Sequence, residues 1–224
     1  MLSWCENNPE STDVPSKAHT GPLGCENGII AATGIKSHNL CERINSCGSL
    51  RVAGHDLSRD ALPAKQALAY IPDDPHPFEA LTVWEHLRFV AAAYRLTDWQ
   101  GAAQRLIEDA ELTEKQHAPA QELSRGMRQK LAICCAYLHA PQAILFDEPL
   151  TGLDPRGIRT IKQSIRDHSA AGAAIIISSH LLALVEDICT HLLILHKGRQ
   201  LFCGPVQAAH QAFSDMPADA VRLT

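Results

Sequence analysis

The sequence predicts an α/β fold: a parallel sheet covered by helices on both faces, with a helical block inserted into it. Three observations carry this expectation. Short apolar runs such as "AILF" (Ala143 to Phe146) and "AAIIIS" (Ala173 to Ser178) alternate with helix-length segments, and strands without polar alternation are those buried on both faces. Capping patterns mark a cluster of helix starts between Thr82 and Ser124. The chain has 224 residues, 46% of them hydrophobic, which suffices for one sizeable core.

In chain order, residues 1–20 are polar and irregular, with Pro9 and Pro15, and yield no strand. Residues 21–49 are punctuated by glycine and stay open to more than one reading. "LRVAGHDL" (Leu50 to Leu57) reads as a strand with a turn at Gly54, and "ALAYIP" (Ala67 to Pro72) as a short buried strand stopped by proline. Thr82 and Glu85 form a capping-box pattern before "VWEHLRFVAAAY", where Trp84, Leu87, Ala91 and Tyr94 keep helical spacing. Thr97 and Gln100 repeat the box before "GAAQRLIEDAEL". A third helix starts at Ser124 and runs to about His139, ahead of Pro141. After the strand at 143–146 come a helix from about Arg156 to Ala170, the strand at 173–178 and a short helix from about Leu181 to Ile188. "LLIL" and "QLFC" then flank Lys197-Gly198 as a hairpin. The chain divides into an altered front part, 1–49, and a main domain, 50–224, with a helical subdomain at about 82–140.

Composition narrows the function classes. A net charge of −5 and a pI near 6.2 argue against nucleic acid as the main partner, because no basic excess is present to neutralise phosphates. No apolar run approaches the roughly 18 residues of a membrane span. The opening "MLSWCENNPESTD" lacks the apolar segment of a secretory signal, so a cytoplasmic location is expected. Of the eight cysteines, Cys134 and Cys135 fall in an apolar helical pattern and read as buried thiols. Cys5, Cys25, Cys41 and Cys47 lack zinc-ligand spacing.

The strongest chemical signal is "AILFDEPLTGLDP", an apolar strand ending in two carboxylates where ligands of parallel sheets bind. Asp147 is placed to hold Mg²⁺ and Glu148 to orient or deprotonate a water. In "ELSRGMRQK", Ser124 is a good N-cap, Gly126 permits close backbone approach, and the helix start favours an anion. In "IIISSH", His180 follows another strand end and is placed to contact a terminal phosphate. Taken alone, each signal has a plain reading: a solvated acidic turn, a capped core helix, a structural histidine.

Together, in this order and spacing, they resemble the ATP-binding subunit of ABC transporters, with wording closest to the ABC-2 exporters. "LSRGM" (Leu123, Ser124, Arg125, Gly126) resembles the signature motif, "AILFDEP" the Walker B strand, "GLD" with Asp154 the D-loop, and "SSH" the switch histidine. The likeness covers about Leu50 to Pro205. It implies a P-loop NTPase-type sheet, ATP and Mg²⁺ as ligands, and catalysis by Glu148 and His180. It also implies head-to-tail pairing as a homo- or heterodimer, and a separate membrane subunit that holds the chain at the inner face of the cell membrane. Asp73 stands at the Q-loop position in place of glutamine, Arg125 replaces a signature glycine and Met127 a glutamine.

Family spacing assigns "GPLGCENG" to the Walker A slot, since Asn27 lies 120 residues before Asp147 (147 − 27). Gly21 and Gly24 match, but Glu26, Asn27 and Gly28 stand where glycine, lysine and serine or threonine do the phosphate work. At an effective dielectric of 20, a lysine about 4 Å from phosphate is worth roughly 4 kcal/mol. The Walker A slot is therefore degenerate, the N-terminal strands are expected to be missing or irregular, and ATP binding by this chain is expected to be impaired. An altered front of the gene, such as a frameshift, is one explanation, which reading its other frames would test. The alternative to an active subunit is a catalytically inactive pairing or regulatory module.

Overall fold

The computed structural model describes residues 3–5, 29–33, 49–180, 182–196 and 199–209. Along the chain run β1 (Ser3–Cys5), β2 (Ile29–Thr33), β3 (Ser49–Val52), β4 (His55–Asp56), α1 (Ala61–Gln66) and β5 (Leu68–Ile71). Then follow α2 (Val83–Ala93), α3 (Gln100–Asp109), α4 (Arg125–Tyr137), β6 (Ala143–Asp147) and α5 (Pro155–Ala170). The chain closes with β7 (Ala174–Ser178), α6 (Leu182–Ile188), β8 (His191–His196) and β9 (Arg199–Pro205).

The main sheet has the order β5-β6-β7-β2-β8-β9. The first five are parallel, and β9 closes the edge antiparallel to β8. The expected turn at Lys197-Gly198 lies outside the described residues, but the two strands it would join pair as anticipated. Ile71, Ile144, Phe146, Ile175 and Ile177, which the register sets on one face of the sheet, are buried to 2% exposure or less, whereas on the other face Leu145 and Ile176 are half-buried and Tyr70 is 47% exposed, so the expected cover on both faces is complete on one only. Against them pack Ile133 and Tyr137 of α4, Ile161 and Ile165 of α5, and Leu184 and Ile188 of α6. Each such side chain contributes about 1.5–3 kcal/mol by leaving water.

The sequence left one central strand unassigned. "IIAAT" forms β2, pairing with β7 on one side and β8 on the other. Its five residues are too few to show a period, and only the two flanking strands decide that they are extended. A separate three-stranded sheet, β1-β3-β4, is antiparallel. Its β3–β4 hairpin turns at Ala53 and Gly54, with φ 52° and 86°, so the expected turn at Gly54 is present as a tight two-residue loop.

The helices between β5 and β6 bury a cluster of their own, with Val83 and Leu87 of α2, Ala103 and Ile107 of α3, and Leu131 and Leu138 of α4. The box at Thr82 forms as expected. Its hydroxyl accepts from the Glu85 N–H at 3.2 Å, while the Glu85 carboxylate accepts from the Thr82 N–H at 2.9 Å. The expected box at Thr97 does not form. Helix α3 starts after Trp99, with no side-chain cap, behind Asp98 at φ 53°. Trp99 packs against Trp84 at 5.2 Å, so aromatic packing between helices, rather than a local cap, sets this start. Cys134 is buried and its thiol donates to the Leu106 carbonyl; burial pushes the Cys135 thiol up to about 12. Among the described residues no helix is long and apolar enough to cross a membrane.

Candidate functional site

Because β6, β7 and β2 are parallel, their carboxyl ends open on one edge of the sheet, the usual ligand-binding edge of such folds. The register sets Asp147 beside Ser178 and Ser178 beside Ala32. The acidic strand end, the Ser-Ser-His strand end and the end of β2 thus meet across three neighbouring strands.

Past Asp147 the chain turns sharply at Glu148, whose φ is 45°, an uncommon conformation for a residue with a Cβ. Its N–H donates to the Ser178 carbonyl at 2.9 Å, which fixes the turn and aims the side chain at the end of β7. There Oε1 accepts from the His180 backbone N–H at 3.0 Å and pairs with His180 Nδ1 at 2.6 Å, while Oε2 accepts from the Ser179 hydroxyl at 3.1 Å. The hydrogen bond to Glu148, and then its charge, raise the pKa of His180 above the ordinary 6.5, with Asp73 adding to the same direction. The side chain of Glu148 is 20% exposed and that of His180 is 75% exposed, so the imidazole is the half of the pair that faces solvent. The structure therefore brings the two expected catalytic residues into contact. These three contacts leave an acceptor site on Oε2 beside the Ser179 hydroxyl that a water can take.

Asp147 is half-buried at the same edge. One carboxylate at a strand end suits magnesium, which takes one or two carboxylates and completes its shell with phosphate oxygens and water. The donor set at this edge fits that ion, and it fits no site built from protein ligands alone: among the described residues no group of three or more His, Cys, Asp or Glu is placed to hold a metal.

The signature residues sit at the start of α4. Ser124 caps it, accepting from the Met127 N–H at 3.2 Å, and Leu123 is buried in the helical cluster. Gly126 has a packing reason beside any ligand: a Cβ there would lie 3.2 Å from the Gly152 carbonyl and 3.3 Å from Leu153. Arg125 does not point into open space. Its guanidinium donates to Asp73 at 3.2 Å, across 52 residues of sequence. Asp154 caps α5, accepting from the Gly157 N–H at 3.1 Å. Gly21, Gly24, Asn27 and Gly28 lie outside the described residues.

Three features here had no sequence signal strong enough to find them. Gln129 is buried and its amide donates to the Pro72 carbonyl at 3.4 Å. Glu111 binds Lys130 of α4 and Arg156 of α5 at once. A groove of about 360 Å³ opens between β5, the segment after it, α2 and α4, lined by Tyr70, Pro72, Pro75, His86, Tyr94 and His139. Phe78 and Phe89, both more than half exposed, meet edge to face near the wall that His86 supplies, against which Phe78 stacks.

A mainly parallel sheet with paired carboxylates and Ser-Ser-His on one edge, a glycine-bearing helix start beside them and helices inserted ahead of the acidic strand defines the P-loop NTPase class of α/β protein. Comparison with known proteins takes this further. The ABC transporter family model matches residues 38–151, and the chain belongs to the ABC transporter ATP-binding family. It is 30% identical over 168 residues to the ABC-type transporter ATP-binding protein EcsA of Bacillus subtilis, covering 74% of this chain and 68% of EcsA. It is 32% identical over 198 residues to the uncharacterized ABC transporter ATP-binding protein YthP of the same organism, covering 88% and 80%. It spans about half the length of several other curated relatives. A solved structure of an ATP-binding subunit of an ABC transporter superposes with a TM-score of 0.77 at 29% identity, covering 87% of this chain and 86% of that one.

Proposed function

We propose that this chain couples ATP binding and hydrolysis to export through a separate membrane subunit, with its own ATP binding impaired at Glu26, Asn27 and Gly28. The observation that carries the chemistry is the contact between Glu148 and His180 beside Asp147. In this reading Asp147 holds Mg²⁺, which neutralises phosphate charge when bound. Glu148 takes a water on the acceptor site of Oε2 left open beside the Ser179 hydroxyl. His180, whose charged form that carboxylate favours, offers its exposed imidazole to the terminal phosphate. Ser124 to Gly126 face the nucleotide of a paired subunit, Leu123 anchors that helix start in the helical cluster, and Asp154 stiffens the turn beside them by capping α5. The groove with Phe78 and Phe89 at its rim is the docking face for the membrane subunit, which places the chain at the cytoplasmic face of the membrane.

Turnover of ATP by the purified chain tests this, alone and with Glu26→Gly, Asn27→Lys and Gly28→Thr combined. The expected result is little turnover before the repair, a gain after it, and loss of the gain on adding Glu148→Gln. No turnover in any form favours the inactive pairing module.

The direction of β2 favours a second reading of the phosphate loop. In P-loop proteins the loop follows a strand's carboxyl end. β2 ends at Thr33, on the edge that carries Asp147, and the chain continues from there as Gly34-Ile35-Lys36-Ser37; Gly28 instead precedes the opposite end of β2. If Lys36 supplies the phosphate contact, the unrepaired chain turns over ATP, and Lys36→Ala abolishes it.

A further inference from the structure

We propose that Arg125 is a positioning residue: with Asp73 it forms an ionic clasp that makes the signature end of α4, the turn after β6 and the segment after β5 move as one unit. The Arg125 side chain is fixed at its head by Asp73 and packed along its stem against Gly152. Asp73 accepts its hydrogen bond at 3.2 Å. Gly152, at φ +75°, passes so close beneath it that a Cβ there would lie 3.0 Å from Arg125 Cδ and 3.3 Å from Nε. Gly126, next in the chain, approaches the Gly152 carbonyl in turn. Arginine suits this place, because its stem covers the glycine while its planar head reaches the carboxylate.

Both partners depart from the residues the sequence pattern leads one to expect, and the departures answer each other: a carboxylate at 73 gains a cation at 125. The pair also joins two regions with different roles. Asp73 lies within the segment whose Pro72, Pro75, His76 and Pro77 form one wall of the groove. Arg125 and Gly152 belong to the edge that carries Glu148 and His180. Gln129 strengthens the same junction from beneath, through its bond to the Pro72 carbonyl. The clasp thus links the candidate nucleotide edge to the groove wall, and its existence does not depend on whether nucleotide binds. Both side chains are 43% exposed, so the pair adds little to global stability and its effect is local.

Amide hydrogen exchange on the full chain tests it, without nucleotide. The reporters are Met127 and Arg128, in the first turn of α4, and Thr151, whose N–H donates to the Glu148 carbonyl. Asp73→Asn, nearly isosteric and far along the chain from all three, speeds their exchange about two- to fivefold, the range an exposed ion pair allows. Arg125→Gln does the same. In the unmodified chain 1 M NaCl has this effect, but it adds nothing in either variant. The exchanged pair Asp73→Arg with Arg125→Asp returns the reporters toward the unmodified rates. If Asp73→Asn leaves them unchanged, or if salt acts equally on the variants, the clasp is refuted.

Discussion

Replacing Glu111 should loosen the helical block from both helices that flank the candidate site. Glu111 follows α3 at φ 58°, and its carboxylate binds Lys130 of α4 at 3.2 Å and Arg156 of α5. The Lys130 side chain is only 10% exposed, whereas Glu111 is 33% and Arg156 72% exposed. Glu111→Gln therefore strands a desolvated ammonium with a weaker partner, and most of the loss falls on Lys130. Breaking a fully buried pair costs about 3–5 kcal/mol. Water can reach the gap through the exposed third of Glu111, which brings the expectation to about 2 kcal/mol. For a chain of this size that is a drop in Tm of about 4–8 °C. Urea unfolding of Glu111→Gln, Lys130→Met and the double variant measures it, with a coupling of about 1 kcal/mol or more expected. The pH dependence adds a check. The hydrogen bond from Lys130, ahead of the charges of Lys130 and Arg156, holds the Glu111 pKa below its ordinary 4.5. Its stabilisation is thus complete above that value and is lost as pH falls through the lowered one, so the variant and the unmodified chain should converge in acid. A Glu111→Gln cost below about 0.3 kcal/mol at neutral pH, or additive single variants, refutes the argument.

Three further outcomes follow from the same geometry. The His180 imidazole, followed by NMR, titrates above 6.5 and moves back toward it in Glu148→Gln; the pair's stabilisation is present below the ordinary value and fades as pH rises through the raised one, and an unchanged midpoint would remove the pairing. Thr82→Ala costs about 1 kcal/mol in a thermal melt and Thr82→Ser almost nothing, whereas equal losses would deny the capping role. Phe146→Ala, at 2% exposure between β5 and β7, costs about 3–5 kcal/mol in urea; a loss under 1 kcal/mol would mean the sheet is not packed as described.

Much of the fold was legible because the central strands bury one face fully and the other in part. Such strands read as apolar runs, and "AILF" and "AIII" are. Capping at Thr82 and Ser124 was legible because it is local chemistry within three residues. The same logic failed at Thr97, where contact between Trp84 and Trp99 outweighed a weak local signal. It left β2 unassigned because a five-residue run of small and apolar residues becomes a strand only when two others offer their edges.

The sequence alone put forward the residues of the candidate site, since Asp147, Glu148, Ser124, Gly126 and His180 occur in an order and spacing that few folds require. Only the tertiary structure decided who touches whom. It gave His180 to Glu148, 32 residues away, by setting two parallel strand ends side by side. It gave Arg125 to Asp73 and packed Gly126 against Gly152. The reason is physical: side-chain type is local, but hydrogen-bond geometry and charge pairing act over a few ångströms, and only the folded sheet brings residues that far apart in the chain within that reach.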